Sequence, residues 1–81
     1  MLGEAALVDL VELVRAELSE RLSIAEIGLD QDFFDLGLDS IDAVELTLAI
    51  EKRFRIDVDP GLLFDTRTLN ELKVTLSAKP A

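Results

Sequence analysis

Ser40 is the residue of this chain best placed to take part in covalent chemistry. Asp39 precedes it, Asp42 follows closely, and it stands at the exit of the turn Asp35-Leu36-Gly37-Leu38, where an amphipathic pattern begins. A serine hydroxyl attacks only when a base accepts its proton. The 81-residue chain contains no histidine and no cysteine. A Ser-His triad, the commonest metal ligands and cysteine catalysis are all excluded within it. The nearest lysine, Lys52, lies about three helical turns along, so a Ser-Lys pairing has no local support. No catalytic constellation can be assembled, and the chain is read as a non-enzyme. Ser40 is instead a candidate substrate for another enzyme. A phosphate ester there would sit near a helix amino terminus, where free N–H groups and the dipole favour negative charge.

Two alternatives stand beside this reading. Serine and aspartate are common helix caps, so the pair has a purely structural explanation. Against it, Asp39 can cap alone, which leaves the Ser40 hydroxyl free. The second alternative is a calcium loop, because Asp30 and Asp32 have the opening spacing of an EF-hand. The pattern then breaks, since Asp35 falls where the central glycine belongs and Ser40-Ile41-Asp42 where the closing glutamate belongs. No metal site is assigned.

Four helices are expected to position this serine. Leu7, Leu10, Val11, Val14 and Leu18 form one stripe of a helix from Glu4 to Leu18, with its end at Ser19 to Arg21. Residues 22–38 lack a clean period but hold Ile24, Ile27, Phe33, Phe34 and Leu38. This long connector is expected to be pinned onto the core, with Phe33 or Phe34 as an anchor and room for a brief helical turn. The second helix runs from Asp39 to Phe54 or Arg55, capped by Asp39 and with Lys52 and Arg53 at its negative end. Asp59-Pro60 reads as a cap followed by proline at the first helical position of a short third helix through Leu62, Leu63 and Phe64. Thr68-Leu69-Asn70-Glu71 fits a capping box, with Glu71 reaching back to the cap of a last helix built on Leu69, Leu72 and Leu76. Lys79-Pro80-Ala81 reads as a frayed tail. No strand pattern appears beyond the short Arg55 to Asp59 segment. The expected fold is all-α: a four-helix bundle with three longer helices, one short third helix and a long first connector, in a single domain over residues 1–81.

The second helix has two apolar faces. Ala43, Leu46, Ile50 and Phe54 cluster on one side and read as core. Ile41, Val44 and Leu48 cluster on another, with Glu45 and Glu51 flanking them and Asp39 and Asp42 at the start. A bundle could bury both stripes. A domain this small buries only about 60% of its unfolded surface, which favours an exposed second stripe rimmed by carboxylates. Such a strip suits a groove with basic edges. The net charge of −9 points the same way: it opposes binding to nucleic acid and to anionic membranes and favours basic protein partners. No apolar run reaches membrane-spanning length and the amino end lacks a signal-peptide pattern. A cytoplasmic monomer is the expectation.

The run Phe33-Phe34-Asp35-Leu36-Gly37-Leu38-Asp39-Ser40-Ile41-Asp42-Ala43-Val44-Glu45-Leu46 resembles the attachment motif of acyl carrier proteins and peptidyl carrier domains. Helix order, the long first connector and length agree over almost the whole chain. The resemblance implies that a phosphopantetheinyl transferase moves 4'-phosphopantetheine from coenzyme A onto Ser40, the partner supplying magnesium and base. Acyl groups would then travel as thioesters on that arm. It further implies that Asp39, Ile41, Val44, Glu45, Leu48 and Glu51 meet partners, with Asp42 beside them, and that those partners include acyltransferases, ketosynthases and other biosynthetic enzymes with basic docking patches. Leu38, Lys52-Arg53 and the run Leu63 to Leu69 are more similar to polyketide and nonribosomal carriers. Asp42-Ala43-Val44-Glu45 and the acidity are similar to a freestanding acyl carrier. A carrier for polyketide or related specialised acyl chains is the first expectation, with fatty-acid synthesis or peptidyl carriage as alternatives. An acidic helical adaptor that binds a basic partner without a cofactor is the alternative from another class.

Overall fold

The computed structural model describes residues 2–59 and 61–77. They form α1 (Glu4–Leu22), α2 (Ser40–Phe54), α3 (Leu62–Asp65) and α4 (Leu69–Leu76). α1 packs on both α2 and α4, and α3 packs on α2. The only β-bridge among the described residues is an isolated parallel one between Leu2 and Ser77. There the Leu2 N–H donates to the Leu76 carbonyl at 2.8 Å, tying the start of α1 to the end of α4.

α1 buries Leu10, Val14 and Leu18, one residue per turn on a single face. It ends at Leu22, one residue past the expected end at Ser19 to Arg21. Nothing in Ser19-Glu20-Arg21-Leu22 breaks a helix. The Arg21 side chain pairs with Glu17 at 3.2 Å across one turn, and Leu22 packs against the core. The stop comes at Ser23, in the left-handed region at φ 55°. α2 buries Ala43, Leu46 and Ile50, while Phe54 is half-buried against the same core. Thr47 is buried too. Its hydroxyl donates to the Ala43 carbonyl at 2.9 Å, so no polar atom is orphaned. Thr66 does the same toward Leu62 at 2.7 Å.

The caps of the last two helices differ from expectation. α3 starts at Leu62 with Gly61 in the cap position, so Asp59 is not the cap. The Asp59 carboxylate accepts from the Gly61 N–H at 2.7 Å, and its carbonyl accepts from Leu62 at 2.9 Å. Asp59 thus makes a side-chain turn two residues ahead of the helix. Pro60 and the tail from Lys79 lie outside the described residues. In α4 Thr68 is the cap and accepts from the Glu71 N–H at 3.1 Å. The Glu71 carboxylate reaches past it, accepting from the Arg67 N–H at 3.1 Å. The reciprocal bond therefore lands one residue before the cap.

The connector is pinned at both ends. Ile27, Phe33 and Leu38 are buried in the core. The Phe33 N–H donates to the Arg67 carbonyl at 2.8 Å, and the Asn70 N–H to the Leu29 carbonyl at 3.0 Å. The brief turn appears at residues 33–37, where Leu36 and Gly37 donate to the Phe33 and Phe34 carbonyls, each at 3.2 Å. Asp30 and Asp32, the pair that opens a calcium-loop pattern, are spoken for. Asn70 donates to Asp30 at 2.6 Å and Arg67 to Asp32 at 2.7 Å. Both tie the connector to the start of α4. Among the described residues no group of three or more such side chains is placed to hold a metal ion.

The Arg67 hydrogen bond holds the Asp32 carboxyl below its ordinary value; partial desolvation opposes this, and the N–H groups of Phe34 and Asp35 reinforce it. A carboxylate whose pKa is depressed on folding stabilises fully above its unfolded value, about 3.9. That contribution is lost as pH falls through the folded value. Asp32→Asn should therefore shallow the fall in stability below about pH 5, measured by urea titration at a series of pH values. A slope identical to that of the parent would count against the tie.

Candidate functional site

The site begins with Gly37. Its φ of 111° lies in a region open to glycine and strained for other residues. It lets the chain leave the 33–37 turn and drop Leu38 into the core, so that Asp39 and Ser40 emerge on the surface. Asp39 has extended backbone and caps α2, its carboxylate accepting from the Asp42 N–H at 2.7 Å. Ser40 is the first residue of α2 and is exposed. With Asp39 acting as the cap, the Ser40 hydroxyl has no hydrogen-bond partner among the described residues.

The two faces of α2 separate cleanly. Opposite the buried stripe, Ile41, Val44 and Leu48 are 70%, 41% and 56% exposed. Exposed apolar side chains in a row directly after an exposed serine are a feature that folding alone does not require. Asp42 and Glu45 lie toward α1. Glu51 is half-buried farther along. Beside Leu48 lies a groove of about 760 Å³ with a mixed charged lining, Glu45, Glu51 and Asp57 standing with Arg21, Lys52 and Arg55.

One residue of this surface was not foreseen. Arg21 reaches across from α1, its Nη1 lying 2.8 Å from Glu45 and 3.4 Å from Asp42. Two carboxylates of the strip thus already have a cation inside the chain. Its spacing from Glu17 suits pairing along a helix, but no spacing along the chain points it at Asp42 and Glu45.

The residues present fit a group attached through phosphate. An unpartnered, exposed hydroxyl stands at a helix amino terminus, and the dipole there tolerates a phosphodiester. Residues 9–73 match the family described as the phosphopantetheine attachment site. The chain belongs to the phosphopantetheine-binding carrier family. The carrier is 38% identical over 64 residues to the acyl carrier protein of Onion yellows phytoplasma, covering 75% of this chain and 84% of that one. It is 35% identical over 75 residues to a probable nonribosomal peptide synthetase, CymA, of Salinispora arenicola. There it covers 93% of this chain but spans only 1% of the synthetase. Among solved structures, the HMG-ACPI domain from the CurA module of Lyngbya majuscula aligns with a TM-score of 0.71 and 38% identity, covering 83% of this chain and 70% of that one. The carrier thus has the acyl-carrier fold. Membership also implies a phosphopantetheinyl transferase and biosynthetic enzymes as partners. Carriers of this family are not themselves catalysts. No helix among the described residues is long and apolar enough to cross a membrane.

Proposed function

We propose that Ser40 is the attachment residue and that the face of α2 behind it is the docking surface. The free hydroxyl of Ser40 beside a cap already supplied by Asp39 is the observation that carries this reading. In the attachment step the Ser40 Oγ–P bond forms as the pyrophosphate of coenzyme A breaks, releasing adenosine 3',5'-bisphosphate. The hydroxyl proton passes to a base of the transferase, which also supplies the magnesium. The chain contributes position: α2 holds the hydroxyl outward and its first-turn N–H groups favour the new phosphodiester. The attached arm supplies the thiol that carries an acyl group as a thioester.

Docking falls to Ile41, Val44 and Leu48 as apolar contacts, with Asp39, Asp42, Glu45 and Glu51 facing the basic patch of a partner. Glu45→Lys should lower the kcat/KM of the transferase by about tenfold or more at low salt, since like charges juxtaposed at an interface cost several kcal/mol. The helical circular-dichroism signal should be unchanged. Equal kinetics for parent and variant at low ionic strength would contradict the docking assignment.

The cargo is best read as a polyketide or related specialised acyl chain, handled by a monomer in the cytoplasm, where coenzyme A is available. The run Leu63 to Leu69 supports this, and fatty-acid synthesis and peptidyl carriage are the alternatives. Loading by a malonyl-transferring acyltransferase is the expected result, and loading only by an amino-acid-adenylating enzyme would overturn it.

The absence of cysteine gives the attachment a simple test. The unmodified chain has no thiol. After incubation with coenzyme A and a broad-specificity transferase, then removal of small molecules, a thiol reagent should titrate one group per chain. No titratable thiol would refute the reading.

A further inference from the structure

Arg21 is the charged group nearest the strip that attachment at Ser40 leaves without a role. It occupies the last turn of α1, where a cation complements the helix dipole. Its guanidinium bridges two helices: Nε meets Glu17 at 3.2 Å on its own helix, and Nη1 meets Glu45 at 2.8 Å and Asp42 at 3.4 Å on α2. Among the described residues, Arg21 is the cation in ion-pair contact with Asp42 and Glu45. We propose that Arg21 is an internal competitor for the docking carboxylates, which a basic group of the partner must displace, and that it thereby sets how tightly and how salt-sensitively the carrier docks. This inference rests on the docking role given above to Glu45.

Geometry favours exchange over a permanent tie. The Arg21 side chain is 26% exposed and that of Glu45 51% exposed, so solvent and an incoming cation reach both. Partial burial works against the Arg21 charge, but hydrogen bonds to Glu45 and Glu17 outweigh it and raise its pKa. Arg21 is therefore charged throughout the working range. The contact with Glu45 is exposed and such pairs are weak, so displacing it costs a partner little, while the contact with Asp42 is part-buried and holds more firmly. While intact, the fork of the guanidinium holds Asp42 and Glu45 together and cancels part of their field. A partner offering a lone cation gains little by replacing it. A partner offering several cations, with an apolar contact for Ile41, Val44 and Leu48, gains more.

The test measures binding of the unmodified chain to a phosphopantetheinyl transferase by titration calorimetry, at low and high salt, alongside melting curves. Arg21→Gln should bind about two- to fivefold more tightly at low salt, the range set by an exposed ion pair. The gain should vanish at high salt. Lys73→Gln removes the same charge from the side of the molecule between α1 and α4 and should give a smaller gain. Glu45→Gln should weaken binding and abolish the gain when combined with Arg21→Gln. If Glu45→Gln weakens binding while Arg21→Gln leaves it equal or weaker, the competitor role is overturned and the docking surface stands. If Glu45→Gln has no effect in either background, the docking reading fails and the inference falls with it. Should Arg21→Gln fail to fold, Arg21→Lys carries the test. It keeps the charge but not the fork, and tighter binding is again expected, with equal or weaker binding contradicting the role.

Discussion

Phe33→Ala should destabilise the carrier by about 3–5 kcal/mol. A domain of this length has a total stability of about 4–12 kcal/mol, so the variant loses a large share of it. Phe33 is fully buried and anchors the connector that leads to Ser40. Its N–H is bonded to Arg67, next to the cap of α4. The ring and the backbone thus join three segments: the connector, the core face of the helices and the entry to α4. Truncation would leave a cavity that the connector, pinned at both ends, cannot collapse to fill. Phe34→Ala should cost much less. That ring is half-buried, stacked on Phe64 at 5.3 Å and covered by Arg67 at 4.8 Å, an arrangement that holds the surface of the connector. Urea unfolding of both variants tests the contrast. Comparable losses for the two would contradict the placement of Phe33 as the anchor.

That contrast also marks the reach of sequence reasoning. Helical periodicity picked out Leu10, Val14 and Leu18 of α1 and Ala43, Leu46 and Ile50 of α2 because residues three or four apart share the face that meets the core, while Leu7 and Val11, read into the α1 stripe, are only half-buried. Asp39 was legible as a cap because its chemistry is local, needing only the N–H of Asp42. Phe33 and Phe34 were inseparable in sequence, since which ring turns inward depends on how the connector meets α4. Thr47 and Thr66 were not expected in the core. A hydroxyl bonded back to its own helix leaves no periodic signal that a polar residue is buried. Asp59 was assigned a cap because Asp-Pro is a common cap pair, yet its carboxylate closes a tighter turn on Gly61. Arg21 was invisible for a further reason. Its partners Asp42 and Glu45 lie on another helix, and no rule of spacing along the chain brings them together.

The candidate site was legible where it depends on local order: a glycine turn, a capping aspartate, a serine left over, and a second apolar stripe on one helix. What needed the structure was its electrostatics. The acidic strip is partly neutralised from within by Arg21, and Lys52 and Arg55 share the adjoining groove with Glu45, Glu51 and Asp57, so docking strength cannot be read from a count of carboxylates.

Ser40→Ala should have the other large effect, complete loss of modification with stability almost unchanged. The side chain is exposed, without a hydrogen-bond partner among the described residues, and the cap of α2 belongs to Asp39. Surface substitutions away from caps and core stay within about 0.5 kcal/mol. Loss of the hydroxyl removes the nucleophile, and the folded surface that the transferase meets remains. The decisive measurement is the intact mass of parent and Ser40→Ala after incubation with coenzyme A, magnesium and a broad-specificity phosphopantetheinyl transferase. The parent should gain the mass of a single phosphopantetheine and the variant none. A parent that gains nothing, or a variant that gains the same mass, would contradict attachment at Ser40.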